Sequence, residues 1–200
     1  MASFSCYSRA TLPPLSRYND GVPFRIRQFE KADFDALWGI DQACFDPQLA
    51  YSRTEMALYM RRPGSFTLVA ESQGGEVEGN GGAAAGIPRV SIPGLNISDL
   101  NILGFIVAEI RRKSGHIITI DVVAEARRAG VGSALLRAAE EQLLRAGSAA
   151  VALETPVNNA AAIRFYKQKG YFVEKTVAGY YSNQMDALVM TKELSSSVVR

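Results

Sequence analysis

The segment that most constrains the fold is a β-branched run, a basic turn with two glycines and an apolar-striped stretch, in direct succession. Ile117–Val123 predicts a strand, Arg127–Ser133 a turn, and Ala134–Ala146 a helix. Gly130 and Gly132 carry no Cβ atom, so backbone N–H groups of the turn can approach an anion closely. The unpaired N–H groups and the positive dipole end of the helix also favour negative charge there. The segment therefore predicts a phosphate-binding turn.

A second block further along the chain repeats the order of strand and helix. Val151–Thr155 predicts a strand, Asn158 and Asn159 the start of a short helix, and Gly170 its end. Taken alone, the turn at Arg127–Ser133 would also fit an ordinary glycine turn before a helix. The second block favours the interpretation as a ligand site.

Together the two blocks resemble the acetyl-CoA-binding core of the GNAT acetyltransferases. The motifs of the second block are Leu153-Glu154, Asn159-Ala160-Ala161-Ala162-Ile163, Phe165-Tyr166, Gly170-Tyr171-Phe172, Gly179-Tyr180-Tyr181 and Asp186-Ala187. Their order is similar to the branch that acetylates protein N-termini, which includes the RimI-type ribosomal-protein-alanine acetyltransferases. The resemblance implies an α/β fold, the GNAT fold, with a mixed, mostly antiparallel central sheet of about seven strands flanked by about four helices.

Composition divides the chain into one domain and three less regular segments. Residues 1–22 contain no acidic residue before Asp20, and we expect a flexible extension there, with an organelle transit peptide as the alternative. The acetyltransferase domain is expected over 23–194, followed by a tail over 195–200. Within the domain, 73–99 holds seven of the seventeen glycines. We expect a mobile insertion loop there, because little apolar surface offsets the entropy of ordering.

Local signals predict the remaining elements. Alternation indicates a strand over Phe24–Phe29, and Asp33 is expected to cap the helix that follows. Ser52 and Glu55 have the spacing of a capping box at the start of a second helix. The other strands are expected at Ser65–Glu71, Ile102–Arg111, Gly115–Val123, Tyr171–Thr176 and Ala187–Lys192.

The composition argues against several classes of protein. A net charge of +2 is too small to indicate binding to nucleic acid or to an anionic membrane. Cys6 and Cys44 are too few for a disulfide framework, and the single histidine, His116, cannot form a histidine-rich metal site, so no metal is expected. No apolar run approaches the roughly 20 residues that span a bilayer, and we expect a cytoplasmic protein.

Acetyl transfer from a thioester to an amine requires a neutral amine near the thioester carbonyl and a proton for the departing thiolate. A free α-amine has a pKa of roughly 8, against about 10.4 for lysine, so a modest base can deprotonate it near neutral pH. The resemblance implies that Glu154, at a strand end, is the general base and that Tyr166 is the general acid beside the CoA sulfur. The alternatives are a structural hydrogen bond for Glu154 and core packing for Tyr166.

The resemblance also implies which residues bind acetyl-CoA. The backbone of Ile120, Asp121 and Val122 would pair with the pantetheine arm, so the Asp121 side chain needs no chemical role. Asn159 would contact the pantetheine or the pyrophosphate in addition to capping its helix. The pyrophosphate would lie chiefly on the backbone N–H groups of Arg128, Ala129, Gly130, Val131, Gly132 and Ser133.

Other positions concern the acceptor. Tyr180 and Tyr181 resemble the substrate-side tyrosines of the family; in an extended strand they would point to opposite faces, whereas a turn would relax that limit. Phe45 belongs to the helix pair that shapes the acceptor pocket in the family. His116 lies on a strand where some relatives carry a base, although a lone histidine at a strand start also fits a structural role.

These residues favour one function and leave two alternatives. We expect transfer of an acetyl group from acetyl-CoA, the co-substrate, to the N-terminal α-amine of a protein, with a ribosomal protein as one candidate acceptor. A GNAT enzyme that acetylates a small amine or a lysine side chain is one alternative. A non-catalytic CoA-binding regulatory domain is the other, and the presence of both Glu154 and Tyr166 argues against it.

Overall fold

The computed structural model describes residues 24–73, 101–182 and 184–195. Within these ranges, a seven-stranded sheet carries four α-helices. The strands are β1 (Phe24–Gln28), β2 (Ser65–Ser72), β3 (Ile102–Arg111), β4 (Ser114–Val122), β5 (Ala150–Pro156), β6 (Phe172–Val177) and β7 (Ala187–Glu193). The helices are α1 (Phe34–Cys44), α2 (Arg53–Arg61), α3 (Val131–Arg145) and α4 (Ala160–Gln168). The expected numbers of strands and helices are confirmed.

The structure does not test the predictions for the two ends of the chain and for the insertion. The extension at 1–22, nearly all of the insertion at 73–99 and all but the first residue of the tail at 195–200 lie outside the described residues. Those predictions stay predictions. Among the helices of the described ranges, none is long and apolar enough to cross a bilayer.

The sheet has the order β1-β2-β3-β4-β5-β7-β6. Neighbouring strands are antiparallel except for β4 and β5, which run parallel, so the expected mixed sheet is confirmed. That parallel contact is short: Ser114–His116 pairs with Ala150–Ala152 and no further residues follow. Beyond His116, the described residues give this edge of β4 no strand partner. The sheet is therefore open between β4 and β5, and the opening positions the site.

A bulge in β4 decides which side chains face each layer. Val107 of β3 pairs with Thr119, but the next residue of β3 pairs with Ile117, so Ile118 is an extra residue. A bulge of this kind shifts the alternation of side chains by one position. Before the bulge, Gly115 packs against Leu143 of α3, where even a Cβ atom would come within 2.4 Å.

Helix α3 covers one face of the sheet through an apolar stripe. Leu135, Leu136, Ala139 and Leu143 are buried, as the helical spacing predicts. Ala146, the last residue of the helix predicted from the sequence, instead follows the last helical turn and is exposed. The buried set instead includes Val131 and Ala138.

The two helix starts predicted near the N-terminal strand have different outcomes. The capping box of α2 is confirmed, since Ser52 Oγ accepts from the N–H of Glu55 at 3.2 Å and the Glu55 carboxylate accepts from the N–H of Ser52 at 3.0 Å. Asp33 precedes α1 but its side chain caps no N–H group of that helix. Its carboxylate instead accepts from Glu30 N–H and pairs with Arg27 at 2.7 Å. A buried ion pair thus takes the place of the expected cap.

Candidate active site

A cleft of about 680 Å³ opens where β4 and β5 stop pairing. Most of the residues predicted for the site line it: Phe45, Ile120, Asp121, Val122, Arg128, Gly130, Gly132, Ser133, Glu154, Asn159, Tyr166 and Tyr181. The other three predicted residues, Ala129, Val131 and Tyr180, lie outside this lining. The fold thus brings residues from distant parts of the sequence to one opening in the sheet.

The basic turn before α3 has the backbone expected of an anion site. Gly130 has φ +86° and precedes the first helical residue, a left-handed conformation that glycine adopts without strain. No side chain caps the helix at this end, and its first turn contains no acidic residue. The N–H groups of this turn and the positive end of the helix dipole are therefore available to a negative group.

Arg127, at the start of the turn, has a different contact. Its Nε donates to the carbonyl oxygen of Val122 at 3.0 Å, and its Nη2 lies 3.6 Å from the Sγ of Cys44. The carbonyl of Val122 is thus already engaged by a side chain of this protein. Cys44 is half-buried at the cleft, where burial and the charge of Asp121 raise its pKa to about 11.

Glu154 and His116 form a hydrogen-bonded pair at the cleft. His116 Nε2 lies 2.7 Å from Glu154 Oε2. Burial acts to raise the pKa of Glu154, but the hydrogen bond and charge of His116, with a contribution from Arg111, outweigh it and lower that pKa. An ionised carboxylate can only accept hydrogen bonds, so the Nε2–H of His116 is the donor.

The other nitrogen of His116 is enclosed. Nδ1 is buried and has no hydrogen-bond partner within the described ranges. A nitrogen that solvent cannot reach is not placed to take a proton from a ligand in the cleft. His116 therefore acts on the cleft through Glu154.

Tyr166 lies in the cleft wall on α4, at 7% exposure. Its ring packs against Phe165 and Tyr171, with centroids 5.2 and 5.5 Å away. Burial and the charges of Asp121 and Tyr181 raise the pKa of its phenol. The hydroxyl consequently stays protonated at neutral pH. Asn159 caps the same helix as expected, its Oδ1 accepting from the N–H of Ala162 at 3.1 Å.

Tyr180 and Tyr181 follow β6 in a turn rather than in an extended strand. They are therefore not required to point to opposite faces. Their rings meet edge to face with centroids 5.0 Å apart. Burial and the neighbouring Glu154 carboxylate raise the pKa of Tyr180, and burial with the charges of Tyr180 and Glu154 raises that of Tyr181. Both tyrosines are therefore close to the carboxylate of Glu154.

Sequence reasoning missed three polar groups beneath the cleft. Asp41 is fully buried, and the Asp121 side chain, for which no role was expected, is 2% exposed. Tyr51 joins them because its N–H donates to Asp41 Oδ2 at 2.9 Å. The one signal for this group was an acid at position 41 on the stripe of α1 that also carries Leu37 and Ile40.

Comparison with known proteins places the chain in a family. Residues 92–171 match the acetyltransferase (GNAT) family. An uncharacterized N-acetyltransferase of Methanocaldococcus jannaschii is 35% identical over 84% of this chain and 90% of its own length. The chain belongs to the GNAT acetyltransferases. A second relative, named N-alpha-acetyltransferase, from Sulfurisphaera tokodaii, is 29% identical over 87% of this chain and 95% of its own length.

A solved structure agrees with the GNAT fold. The ribosomal-protein-S18-alanine N-acetyltransferase of Escherichia coli superposes with a TM-score of 0.66 at 20% identity, over 86% of this chain and 94% of that one. At this identity the likeness concerns the fold. The resemblance inferred from the sequence motifs is therefore confirmed for the family and for the architecture.

Proposed function

We propose that this GNAT enzyme transfers an acetyl group from acetyl-CoA to the N-terminal α-amine of a protein, with Glu154 as the general base. The observation that carries the proposal is the His116–Glu154 pair at 2.7 Å, in the same cleft as an uncapped helix start. The same cleft thus contains a turn suited to a phosphate and a proton acceptor. The name of the Sulfurisphaera tokodaii relative supports an α-amine as the acceptor.

The donor would lie along β4. The turn at Arg128–Ser133 would hold the pyrophosphate through backbone N–H groups, because the helix start is uncapped and free of acidic residues. The pantetheine arm would follow the open edge of β4 at Ile120–Val122, in the cleft that Asn159 also lines just before α4. These are the donor-binding positions expected from the sequence, and they remain part of the proposal.

Glu154 would remove a proton from the acceptor amine, directly or through a water molecule. The free nitrogen lone pair then attacks the thioester carbonyl carbon, and the carbon–sulfur bond breaks. The lowered pKa of Glu154 keeps the carboxylate ionised before the acceptor binds. Exclusion of water by the two substrates strengthens the carboxylate as a base, because burial raises the pKa of an acid.

Tyr166 would supply the proton that the departing CoA thiolate takes up. Its raised pKa keeps the phenol protonated, although it also lowers the tendency to give the proton away. The developing negative charge on sulfur favours a hydrogen bond from the hydroxyl throughout the reaction. Ring packing by Phe165 and Tyr171 would hold the hydroxyl in place.

The acceptor peptide would enter on the side of Tyr180 and Tyr181. Both tyrosines lie near Glu154, so their hydroxyls can bind peptide backbone next to the amine. Phe45, in the cleft lining after α1, would contact the first side chain of the acceptor. A ribosomal protein is our candidate acceptor, and the expected cytoplasmic location belongs to the same proposal.

Mass spectrometry of matched peptides tests the acceptor. One peptide library carries a free N-terminus and no lysine, with the first two residues varied; its partner has a blocked N-terminus and one internal lysine. We expect acetylation of the first library, with a preference among first residues, and little of the second. Acetylation of the blocked library alone, or of a simple amine in preference to both, would contradict an α-amine acceptor.

A further inference from the structure

Two buried carboxyl groups lie where α1 packs against β4, beneath the cleft, and neither serves the proposed mechanism. Asp41 of α1 is 0% exposed and Asp121 of β4 is 2% exposed. In each, the Oδ1 atom is buried and has no hydrogen-bond partner among the residues that the structure describes. Cys44, one turn after Asp41 on α1, donates from Sγ at 3.5 Å to the carbonyl oxygen of Val122, the residue after Asp121, so this end of α1 packs against β4 at Asp121. The charge of Asp41 also raises the pKa of Asp121.

The donors available to this pair all go to the other carboxyl oxygens. Asp41 Oδ2 accepts from the N–H of Tyr51 at 2.9 Å and from Nε2 of Gln42 at 3.0 Å. Asp121 Oδ2 accepts from Oγ1 of Thr119 at 3.1 Å. The two Oδ1 atoms are therefore the groups that need a partner.

A proton between the carboxyl groups would satisfy both Oδ1 atoms. Burial raises the pKa of Asp41 to about 6, and burial with the charge of Asp41 raises that of Asp121 well above its usual value. Two close carboxylates cannot both remain ionised at low cost, and one of them then keeps its proton at neutral pH. An O–H of one group donating to the oxygen of the other removes both unpaired atoms.

We propose that Asp41 and Asp121 share one proton, and that this carboxyl pair fastens α1 and Tyr51 to β4 at the wall of the acceptor pocket. Tyr51 is held at the same place by two further bonds to its carbonyl oxygen, from Trp38 Nε1 at 3.1 Å and Gln42 Nε2 at 2.9 Å. Its ring lines the cleft. The pair is thus a positioning device for that wall.

The titratable neighbours of the pair come from four elements. Cys44 lies on α1, Tyr51 on the connection to α2, Arg127 on the turn before α3 and Tyr166 on α4. Arg127 is the cation among them and acts to lower the pKa of Asp121. Its guanidinium, however, binds the Val122 carbonyl and Cys44 rather than either carboxyl group. Among the described residues, no cation is therefore hydrogen-bonded to the pair.

The shared proton makes stability depend on pH in a defined direction. The folded protein holds this proton above the pKa of about 3.9 that the unfolded carboxyl has. Stability from the pair is therefore fully present below that pKa and is lost as pH rises toward the folded pKa. Carboxyl groups that are paired with cations instead lose their contribution to stability as pH falls. The two effects can therefore be distinguished by the direction in which stability changes with pH.

Asp41→Asn and Asp41→Ala test the pair by thermal unfolding across a pH series. The amide of Asp41→Asn can donate to Asp121 without taking up a proton from solution. The Tm of this variant should therefore rise relative to that of the wild type by up to about 3–5 °C for each unit of pH increase. Asp41→Ala should be less stable than the wild type throughout. Parallel Tm curves for wild type and Asp41→Asn would overturn the proposal.

Infrared difference spectroscopy provides a second readout that a purely structural role would not move. The wild type should show a protonated carboxyl band at neutral pH that Asp41→Asn lacks; the absence of that band from the wild type would overturn the proposal.

The positioning role rests on the proposed function and is read from kinetics. Asp41→Ala should raise KM for the acceptor peptide about tenfold while acetyl-CoA affinity is kept. An unchanged KM would remove the link to the acceptor wall. Failure of α-amine acetylation would leave the Tm and infrared results as the test of the pair itself.

Discussion

His116 Nε2 donates to Glu154 Oε2 over 2.7 Å, at the last position where β4 and β5 still pair. The parallel register sets His116 opposite Ala152. Glu154 lies two residues further on, so its side chain projects from the same face of β5 as that of Ala152. The carboxylate thus meets the imidazole on one side and the open cleft on the other. This position lets one histidine orient a base without itself touching the substrates.

Replacement of His116 should shift the pH profile of the reaction. Without its hydrogen bond and charge, burial dominates at Glu154 and raises the pKa of that carboxyl. The acid limb of kcat/KM should move to higher pH in His116→Ala, with the rate recovering as pH rises above the new pKa. His116→Gln keeps an N–H donor and should retain much of the wild-type profile. An unshifted acid limb in His116→Ala would show that the pair is not part of the chemistry.

Loss of the Tyr166 hydroxyl should affect turnover rather than donor binding. Tyr166→Phe keeps the ring between Phe165 and Tyr171, so we expect unchanged acetyl-CoA affinity and a kcat lower by about 10²–10⁴-fold. Tyr171→Phe is the matched control, because its hydroxyl binds Glu140 at 3.0 Å away from the cleft. That variant should lose about 1 kcal/mol of stability and keep its kcat. Near-normal turnover of Tyr166→Phe across the pH range would leave the tyrosine a packing residue.

Gly132 tests the position of the pyrophosphate. A Cβ atom there would meet only Val122 and Phe165 side-chain atoms, at 3.6 and 3.7 Å among its three nearest contacts, which are ordinary distances. Gly132→Ala should therefore fold and bind CoA with a small loss. Gly132→Glu adds a negative charge at the helix start and should weaken CoA binding strongly. Calorimetry that gives equal affinities for the two variants would place the pyrophosphate elsewhere.

Removal of the glycine-rich insertion should leave the enzyme core intact. The N–H of Ser72 donates to the carbonyl oxygen of Asn101 at 2.6 Å, so the ends of the intervening segment meet. A short turn can therefore replace 74–100, and we expect a Tm and a CoA affinity close to those of the full chain. A variant that folds but loses CoA binding would assign this segment a role in the site.

Elements with strong local signals were predictable from the sequence. The Ser52–Glu55 capping box and the Asn159 cap each depend on residues within one turn, and both are found as expected. Asp33 shows the limit of this reasoning. Its carboxylate pairs with Arg27 instead of capping α1, and no pattern in the sequence indicates that an ion pair will compete for that carboxylate.

The features of the site that the sequence did not predict depend on contacts between residues that are distant in the sequence. His116 and Glu154 are separated by 38 positions, and the parallel register that joins them appears only in the sheet. Asp121 was read as a backbone contact because its partner Asp41 lies on α1, in a different layer. The side of β4 that Asp121 occupies also depends on the bulge at Ile118, which the sequence pattern does not reveal.

The rate of acetyl transfer by Glu154→Gln to a peptide α-amine, followed against pH, tests the central claim most directly. The amide keeps the size of the side chain but cannot accept a proton, so we expect a loss of about 10²–10⁴-fold. The loss should be greatest at low pH, where the amine is protonated, and should diminish as pH approaches the amine pKa of roughly 8. Acetyl-CoA affinity should stay at its wild-type value. A rate within a few-fold of wild type at every pH would contradict the assignment of Glu154 as the base.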